Sequence, residues 1–373
     1  MKKVNKKRIV LTGGGSGGHA FPLIFIWEQI KDDYDFLFIG EQNGKEEEIV
    51  KRTKIEYKGI WAGKWRRYFS WRNYIDVLRV PIGIWQSYWI MKKWKPDLVL
   101  AKGGYVSVPV VLAAALLKIK IISHESDAIM GLANRISARY ADKIAVAFPV
   151  GRYGVKYADK MIWVGMPVRR WKYRQEDEPM LRKDFSIKND LPVLLVTGGS
   201  QGAVNVNKYV MKYLDEILKF CNVIHLTGKY DYKRVKSWRE KMKNNQDRYL
   251  VYDFLFEDYE KAMVLCDLLI SRAGSTLAEI SNLAKPSILI PLPTSASNHQ
   301  YYNAKSFEDV GASVMVEERD FDKINLAVLV KSLLFDEEGI EEMKAAAVTA
   351  MQTQGSARIV ADLIDSVLGG EDV

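Results

Sequence analysis

Cysteine and histidine are both scarce in this 373-residue chain, with two cysteines and four histidines. Cys221 and Cys266 are far apart and form no CxxC pair. That excludes a disulfide framework and a structural zinc site, and it suits a reducing compartment. Long apolar runs are also missing. The most apolar segment, Val106 to Leu117, is broken by Lys118 and Lys120 and cannot span a bilayer. The N-terminus is basic from Met1 to Arg8. The apolar Ile9-Val10-Leu11 behind it is too short for a signal peptide and reads as a first strand. There are no short-period repeats and no low-complexity tracts.

What remains is ordinary globular composition, 48% hydrophobic and 27% charged, at a length that predicts two domains. The net charge of +9 is uneven. Between Lys51 and Lys95 there are 12 basic residues against Glu56 and Asp76, a local excess of 12 − 2 = +10. Six of the ten tryptophans fall there too: Trp61, Trp65, Trp71, Trp85, Trp89 and Trp94. Basic side chains interleaved with Trp and Tyr suit the interface of an anionic membrane. Nucleic acid, or a helix with a merely solvated basic face, are the alternatives for such a patch.

The tripeptide Thr-Gly-Gly occurs twice, each time after a short apolar run and before a helical pattern. The copies are Thr12-Gly13-Gly14-Gly15-Ser16-Gly17-Gly18-His19 and Thr197-Gly198-Gly199-Ser200-Gln201-Gly202, 197 − 12 = 185 residues apart. A strand that runs through glycines into a helix presents bare N–H groups at a positive helix end, which favours anionic ligands. Two copies predict two similar α/β domains.

Continuous apolar runs predict parallel strands covered on both faces. In the first half they are 8–12, 35–39, 97–101, 120–123, 143–147 and 161–164. In the second they are 193–197, 223–227, 249–252, 268–271, 287–290 and 313–316. Pro22 is predicted to start a helix with a buried stripe of Leu23, Ile26, Trp27 and Ile30. A second helix is predicted from Tyr74 to Lys93, with Ile75, Leu78, Ile82, Trp85 and Trp89 at three-to-four spacing. The charged stretch 169–190 reads as a crossover between domains. Residues 355–368 read as a final helix.

Gly13-x-Gly15-x-x-Gly18 also fits the dinucleotide fingerprint, with Glu41 roughly where a ribose-binding acid would stand. On that match alone a nicotinamide-dependent oxidoreductase is one reading. His19 adds a group that accepts a proton near neutral pH. Further polar clusters follow strands in both halves: Lys102 to Ser107, His124 to Asp127, Thr227 to Lys229, and Arg272 to Glu279.

Taken in order, these segments resemble the MurG family of bacterial glycosyltransferases, which add N-acetylglucosamine to lipid I. The matching stretches are Gly14 to Pro22, Gly103-Gly104-Tyr105-Val106-Ser107, His124-Glu125 through Arg135, and Gly165-Met166-Pro167-Val168-Arg169. They continue with Gly198 to Ala203, Thr227-Gly228-Lys229, Arg272 through Glu279, and Gln300 to Ala304.

The resemblance implies an α/β GT-B fold, two Rossmann-like domains with parallel sheets facing across a cleft. It implies an acceptor domain at 1–168, joined by a C-terminal helix at 355–369, and a UDP-sugar domain at 169–354. Donor contacts fall to Ser16, Gly17, Gly18, Arg169, Ser200, Gln201, Phe254, Leu255, Ser275, Thr276, Glu279, His299 and Gln300. Glu279 would accept from the ribose hydroxyls. Acceptor contacts fall to Gly14, Gly15, Gly103, Gly104, Tyr105 and Ser107. His19 and Asp127 are the candidate bases of an inverting transfer, without a metal or other cofactor. The partners implied are UDP-N-acetylglucosamine, lipid I, an anionic membrane surface and other cell-wall synthesis proteins, with no nucleic acid. The place implied is the cytoplasmic face of the cell membrane. Asp127 departs from the Asn that many members carry, and His299 stands where another Gln is frequent. Another lipid glycosyltransferase with a different UDP-sugar, and a non-catalytic membrane scaffold, are the further alternatives.

Overall fold

A computed structural model describes residues 6–15, 17–63, 72–199 and 202–370. It divides into two compact units. The first comprises residues 1–168 and 352–373, the second 169–351.

In the first unit, the described residues form a seven-stranded parallel sheet. Its strands are β1 (Arg8–Thr12), β2 (Asp35–Glu41), β3 (Glu56–Ile60), β4 (Leu98–Ala101), β5 (Lys120–Glu125), β6 (Lys143–Val146) and β7 (Met161–Trp163), in the order β3-β2-β1-β4-β5-β6-β7. β3 is absent from the sequence reading. Its Glu56-Tyr57-Lys58-Gly59-Ile60 is an edge strand, mostly exposed, so it lacks the continuous apolar signature of the others.

The second unit has a six-stranded parallel sheet among its described residues. Its strands are β8 (Val193–Thr197), β9 (Asn222–Leu226), β10 (Tyr249–Tyr252), β11 (Leu268–Ser271), β12 (Ser287–Leu289) and β13 (Val314–Met315), in the order β10-β9-β8-β11-β12-β13. In each sheet the winding reverses beside its first strand, between β1 and β4 and between β8 and β11. Doubly wound sheets place ligands outside the strand ends at such a reversal. Both Thr-Gly-Gly turns stand there.

One helix expectation changes. The first helix runs Gly17–Ile30, so Pro22 lies inside it rather than at its start. The proline ring removes the backbone bond that would reach Gly18. The helix predicted at 74–93 forms as Arg72–Trp94, and Ile82, Trp85 and Trp89 of its apolar line are exposed, the last two by 64% and 50%, while the side chains of Ile75 and Leu78 lie outside the description. Its inward line is Gly83, Ser87 and Met91, at four-residue spacing. A Cβ on Gly83 would lie 2.1 Å from the carbonyl oxygen of Trp61. Small residues therefore let this helix close on the end of β3, and the large apolar residues are turned outward. Trp65 and Trp71 lie outside the described residues.

The helix Ser356–Gly369 is part of the first unit's core. Val360, Leu363, Ile364 and Val367 are buried with Leu23, Ile26 and Ile30 of the first helix and with Ile9, Leu11 and Leu100 of the sheet. The return is anchored where Met166 N–H donates to Gln352 O (2.8 Å). Gly165 has φ +74°, and a Cβ there would lie 1.7 Å from that same oxygen. Truncating Ile364 to Ala leaves a cavity in this core and is expected to cost about 3 kcal/mol. Urea unfolding followed by tryptophan fluorescence measures it; a loss under about 1 kcal/mol would mean that the helix is not integral to the core.

Candidate functional site

In the first unit, the register of β1 with β4 pairs Thr12 with Ala101. The glycine turns behind those residues therefore leave the sheet side by side. A Cβ on Gly104 would lie 2.2 Å from the Gly14 carbonyl oxygen, and one on Gly15 would lie 2.6 Å from the Tyr105 ring. Gly15, Gly103 and Gly104 have φ of +87°, +81° and +77°. Left-handed φ and absent side chains are thus both needed for this approach.

The turns are not empty amide cradles. Glu46, fully buried, accepts from Gly15 N–H (3.2 Å) and Glu41 N–H (2.9 Å). The chain's own carboxylate thus takes one amide that the glycine pattern had assigned to a ligand. Glu41, where the dinucleotide reading put a ribose-binding acid, accepts from the Tyr105 hydroxyl instead. Ser107 is fully buried and donates to Gly104 O (2.9 Å), which holds the turn.

His19, on the first helix, has Nδ1 3.2 Å from Lys102 O. A carbonyl only accepts, so Nδ1 carries the proton and Nε2 keeps its lone pair. That is the tautomer of a base. Beside it, β5 ends in His124 and Glu125, both buried. Glu125 accepts from Ser126 N–H (2.8 Å), Asp127 N–H (2.9 Å), Gly131 N–H (2.8 Å) and Asn134 Nδ2 (2.9 Å). Burial, then the neighbouring Asp127, pushes its carboxyl pKa up. Asp127 itself is partly exposed, and its carbonyl accepts from the Tyr153 hydroxyl (2.8 Å). Gly14, Gly15, His19, Gly103, Gly104 and Tyr105 are in this way gathered at the carboxyl ends of the central strands β1 and β4, with Asp127 on the turn after the next strand. Gly17 and Gly18 open the first helix. Ser16 lies outside the described residues.

In the second unit, Gly199 has φ +77°, and no described residue lies within 4 Å of where its side chain would stand. Its N–H donates to Thr197 Oγ1 (3.2 Å). Ser200 and Gln201 lie outside the described residues. Gly202 backs onto the turn after β9: a Cβ there would lie 2.6 Å from Thr227 O. A buried network holds that turn. Asn207 donates to Thr227 O (2.9 Å) and to Asp231 (2.8 Å), and His225 stands between Asn207 Oδ1 (3.0 Å) and the Tyr249 hydroxyl (2.8 Å).

Glu279 lies one turn into the helix Thr276–Asn282, after the exposed Ser275 and the half-buried Thr276. It accepts from the Tyr259 hydroxyl (2.7 Å) and stands 3.7 Å from the Arg169 guanidinium. Burial raises the pKa of Glu279, while Tyr259 and Arg169 oppose that rise. Arg169 also lies 5.7 Å from the centroids of both Trp171 and Tyr259. The linker is fixed by Glu260, which accepts from the N–H groups of Lys172 and Tyr173. Phe254 is exposed and meets Phe256 edge-on at 4.6 Å, whereas Leu255 is buried. Gln300 Oε1 accepts from Leu292 N–H (3.0 Å), and His299 Nδ1–H donates to Ala296 O (2.8 Å). The sequence reading missed Glu46, Tyr259 and Glu260, each set against its partner by a turn or helix rather than by a motif.

Residues 9–146 match the N-terminal domain of glycosyltransferase family 28, and residues 193–363 match its C-terminal domain. The chain belongs to glycosyltransferase family 28. A Clostridium kluyveri protein named "UDP-N-acetylglucosamine--N-acetylmuramyl-(pentapeptide) pyrophosphoryl-undecaprenol N-acetylglucosamine transferase" is 39% identical over 346 residues, 92% of this chain and 96% of that protein. A Clostridium perfringens protein of the same name is 40% identical over 333 residues, 88% of this chain and 90% of the relative. Among solved structures, Acinetobacter baumannii MurG superposes with a TM-score of 0.74 at 23% identity, covering 96% of this chain and 99% of that one. A UDP-GlcNAc 2-epimerase from Neisseria meningitidis does so at 0.65 and 13% identity, covering 96% and 100%. The fold is of the GT-B type. The oxidoreductase reading of the first glycine loop falls with this membership.

Burial pushes the His225 pKa down to about 3, against about 6.5 in an unfolded chain. The unfolded state therefore binds the extra proton between those values. The stability that neutral His225 contributes is complete above about pH 6.5 and declines as pH falls towards 3. The stability read by urea unfolding should fall by about 1 kcal/mol per pH unit through that window from this group. His225→Gln should flatten the slope; an unchanged slope would remove His225 as its source.

Proposed function

We propose that this enzyme transfers N-acetylglucosamine from UDP-N-acetylglucosamine to N-acetylmuramyl-(pentapeptide) pyrophosphoryl-undecaprenol, lipid I, giving the β-1,4-linked lipid II of peptidoglycan. What carries the reading is the 39% identity, over nearly the whole of both chains, to a transferase whose name states donor and acceptor. The arrangement in each unit supports it.

Donor binding belongs to the unit 169–351. Glu279, already accepting from Tyr259, takes a ribose hydroxyl on its remaining lone pairs. Arg169 lies near the nucleotide, and Phe254 with the backbone of Leu255 grips the uracil. Ser200, Gln201, Ser275 and Thr276 contact the diphosphate side. Ser16, Gly17 and Gly18 add contacts from the first glycine loop. His299 and Gln300 reach the sugar hydroxyls. Acceptor binding belongs to the first unit, at the paired turns of Gly14, Gly15, Gly103, Gly104 and Tyr105, with Ser107 holding the second turn from behind.

The C4 hydroxyl of the muramyl sugar attacks C1 of the donor from the face opposite UDP. A C1–O bond forms, the bond from C1 to the diphosphate oxygen breaks, and UDP leaves with its electron pair. The hydroxyl proton passes to the basic side of the acceptor site, His19 with Asp127. Helix N-termini and loop amides stabilise the departing diphosphate.

An acceptor on a polyprenol requires a membrane surface. The exposed Ile82, Trp85 and Trp89 form an apolar face with Lys92, whose ammonium lies 4.9 Å from the Trp89 ring centroid. Among the described residues no helix is long and apolar enough to cross a membrane. The reading is therefore peripheral attachment to an anionic leaflet, on the cytoplasmic side where UDP-sugars are found, beside other cell-wall synthesis proteins.

Labelled UDP-N-acetylglucosamine and a short-chain lipid I analogue test the activity directly. His19→Ala is expected to lower kcat about 10²–10⁴-fold with UDP affinity unchanged. Retention of most of the rate would reject the base assignment. Replacing Trp85 and Trp89 together by Ser should weaken binding to phosphatidylglycerol vesicles by about tenfold or more, read by co-sedimentation. Equal binding would place membrane contact elsewhere.

A further inference from the structure

Tyr259 touches no substrate in the transfer proposed above, yet it meets two charged groups of the donor site. It lies in the first turn of the helix Asp258–Leu265, which follows directly on the loop of Phe254 and Leu255. Its hydroxyl donates to Glu279 Oε2 (2.7 Å), and the Arg169 guanidinium lies over its ring, 5.7 Å from the centroid. The ring of Trp171 meets the same guanidinium at the same distance, 5.7 Å. Within about 6 Å a ring face attracts such a cation.

The two oxygens of Glu279 are thereby made unequal. Oε2 is taken by Tyr259. Oε1 faces Arg169 Nη2 at 3.7 Å, near enough for charge attraction and beyond hydrogen-bond reach. A guanidinium beside a carboxylate commonly closes on it bidentately, which would occupy both oxygens. Here Arg169 is drawn to the two rings instead. Its Nε is buried and, among the described residues, has no hydrogen-bond partner. The Glu279 side chain is 18% exposed, so it is open to a ligand. Burial, then Glu279, pushes the Tyr259 pKa well above its usual range, so the hydroxyl keeps its proton and stays a donor. Among the described residues, Tyr259 and Arg169 are the titratable groups that face this carboxylate, and its own helix Thr276–Asn282 carries no other.

We propose that Tyr259 is a positioning residue of the donor site: its hydroxyl fixes Glu279 by one oxygen, and its ring, with Trp171, withholds Arg169 from the other, which is left to accept from a ribose hydroxyl. Because Tyr259 stands on the helix behind the uracil loop, one element sets the contacts to base and ribose together. The inference rests on the donor reading above.

Tyr259→Phe tests it, since phenylalanine keeps the ring and loses only the hydroxyl. In the full-length enzyme, UDP affinity should fall about tenfold, on the scale of one hydrogen bond to a charged group. KM for UDP-N-acetylglucosamine should rise by a similar factor while kcat changes little, as expected when uniform binding is lost. Binding of 2′,3′-dideoxy-UDP, which offers no ribose hydroxyl, should hardly change. Burial already raises the Glu279 pKa against Tyr259 and Arg169. A carboxylate that loses a donor is easier to protonate, so the acid limb of UDP binding should move up by roughly one pH unit. In a Glu279→Gln background the substitution should cost much less. A lower thermal midpoint with unmoved affinity and an unmoved acid limb would make Tyr259 a structural residue and overturn the proposal. So would additive effects of the two substitutions. If Tyr259→Phe does not fold, 3-fluorotyrosine at position 259 decides. Its more acidic hydroxyl is the stronger donor, so the acid limb should move down, and an unmoved limb overturns the proposal. A wild-type enzyme that binds UDP and 2′,3′-dideoxy-UDP equally would instead overturn the donor reading of Glu279, and this inference with it.

Discussion

The contact on which the first unit's glycine turns depend is the one between Gly104 and the carbonyl of Gly14, where no Cβ fits. Parallel pairing of β1 and β4 brings the two turns level, and glycine at both lets them close. Everything polar nearby is arranged about that closure. Tyr105 covers Gly15, Glu46 fills behind it, and the carbonyl of Lys102 meets His19. A side chain at Gly104 would separate the imidazole from the turn that sets its tautomer.

The two Thr-Gly-Gly turns use one topology to different ends. The first is packed shut by its own chain, with an aromatic ring over Gly15 and a carboxylate on its amide. The second has no described residue against Gly199 and is braced from beneath by the Asn207–His225–Tyr249 network. A braced and open turn can receive a diphosphate on its amides. In the proposed transfer the packed turn acts more through the residues it positions, His19 above all.

Most of the sheet was legible in the sequence because parallel strands covered on both faces are continuously apolar. β3 was not, since an edge strand carries Glu56 and Lys58 among its five residues. The outward turn of Trp85 and Trp89 was hidden for another reason: periodicity finds an apolar line but not which way it faces. Gly83 and Ser87 decide that by allowing close packing. At the site, glycine motifs and His19 could be read from local spacing. The Glu46 carboxylate on Gly15 and the Tyr259 hydroxyl on Glu279 could not, because each joins residues 20 or more apart in the chain. Lys102 stood in plain view before Gly103-Gly104, but that its ammonium is buried emerges only when helices cover the sheet.

The helix Ser356–Gly369 closes the core of a unit whose other residues end at 168. The second unit, by contrast, is continuous from 169 to 351. On the ribosome, the half made first must therefore wait, with part of its core uncovered, until residues 356–369 have been made, whereas the half made later can fold as soon as it emerges. A stop before residue 356 would injure the unit that was synthesised first.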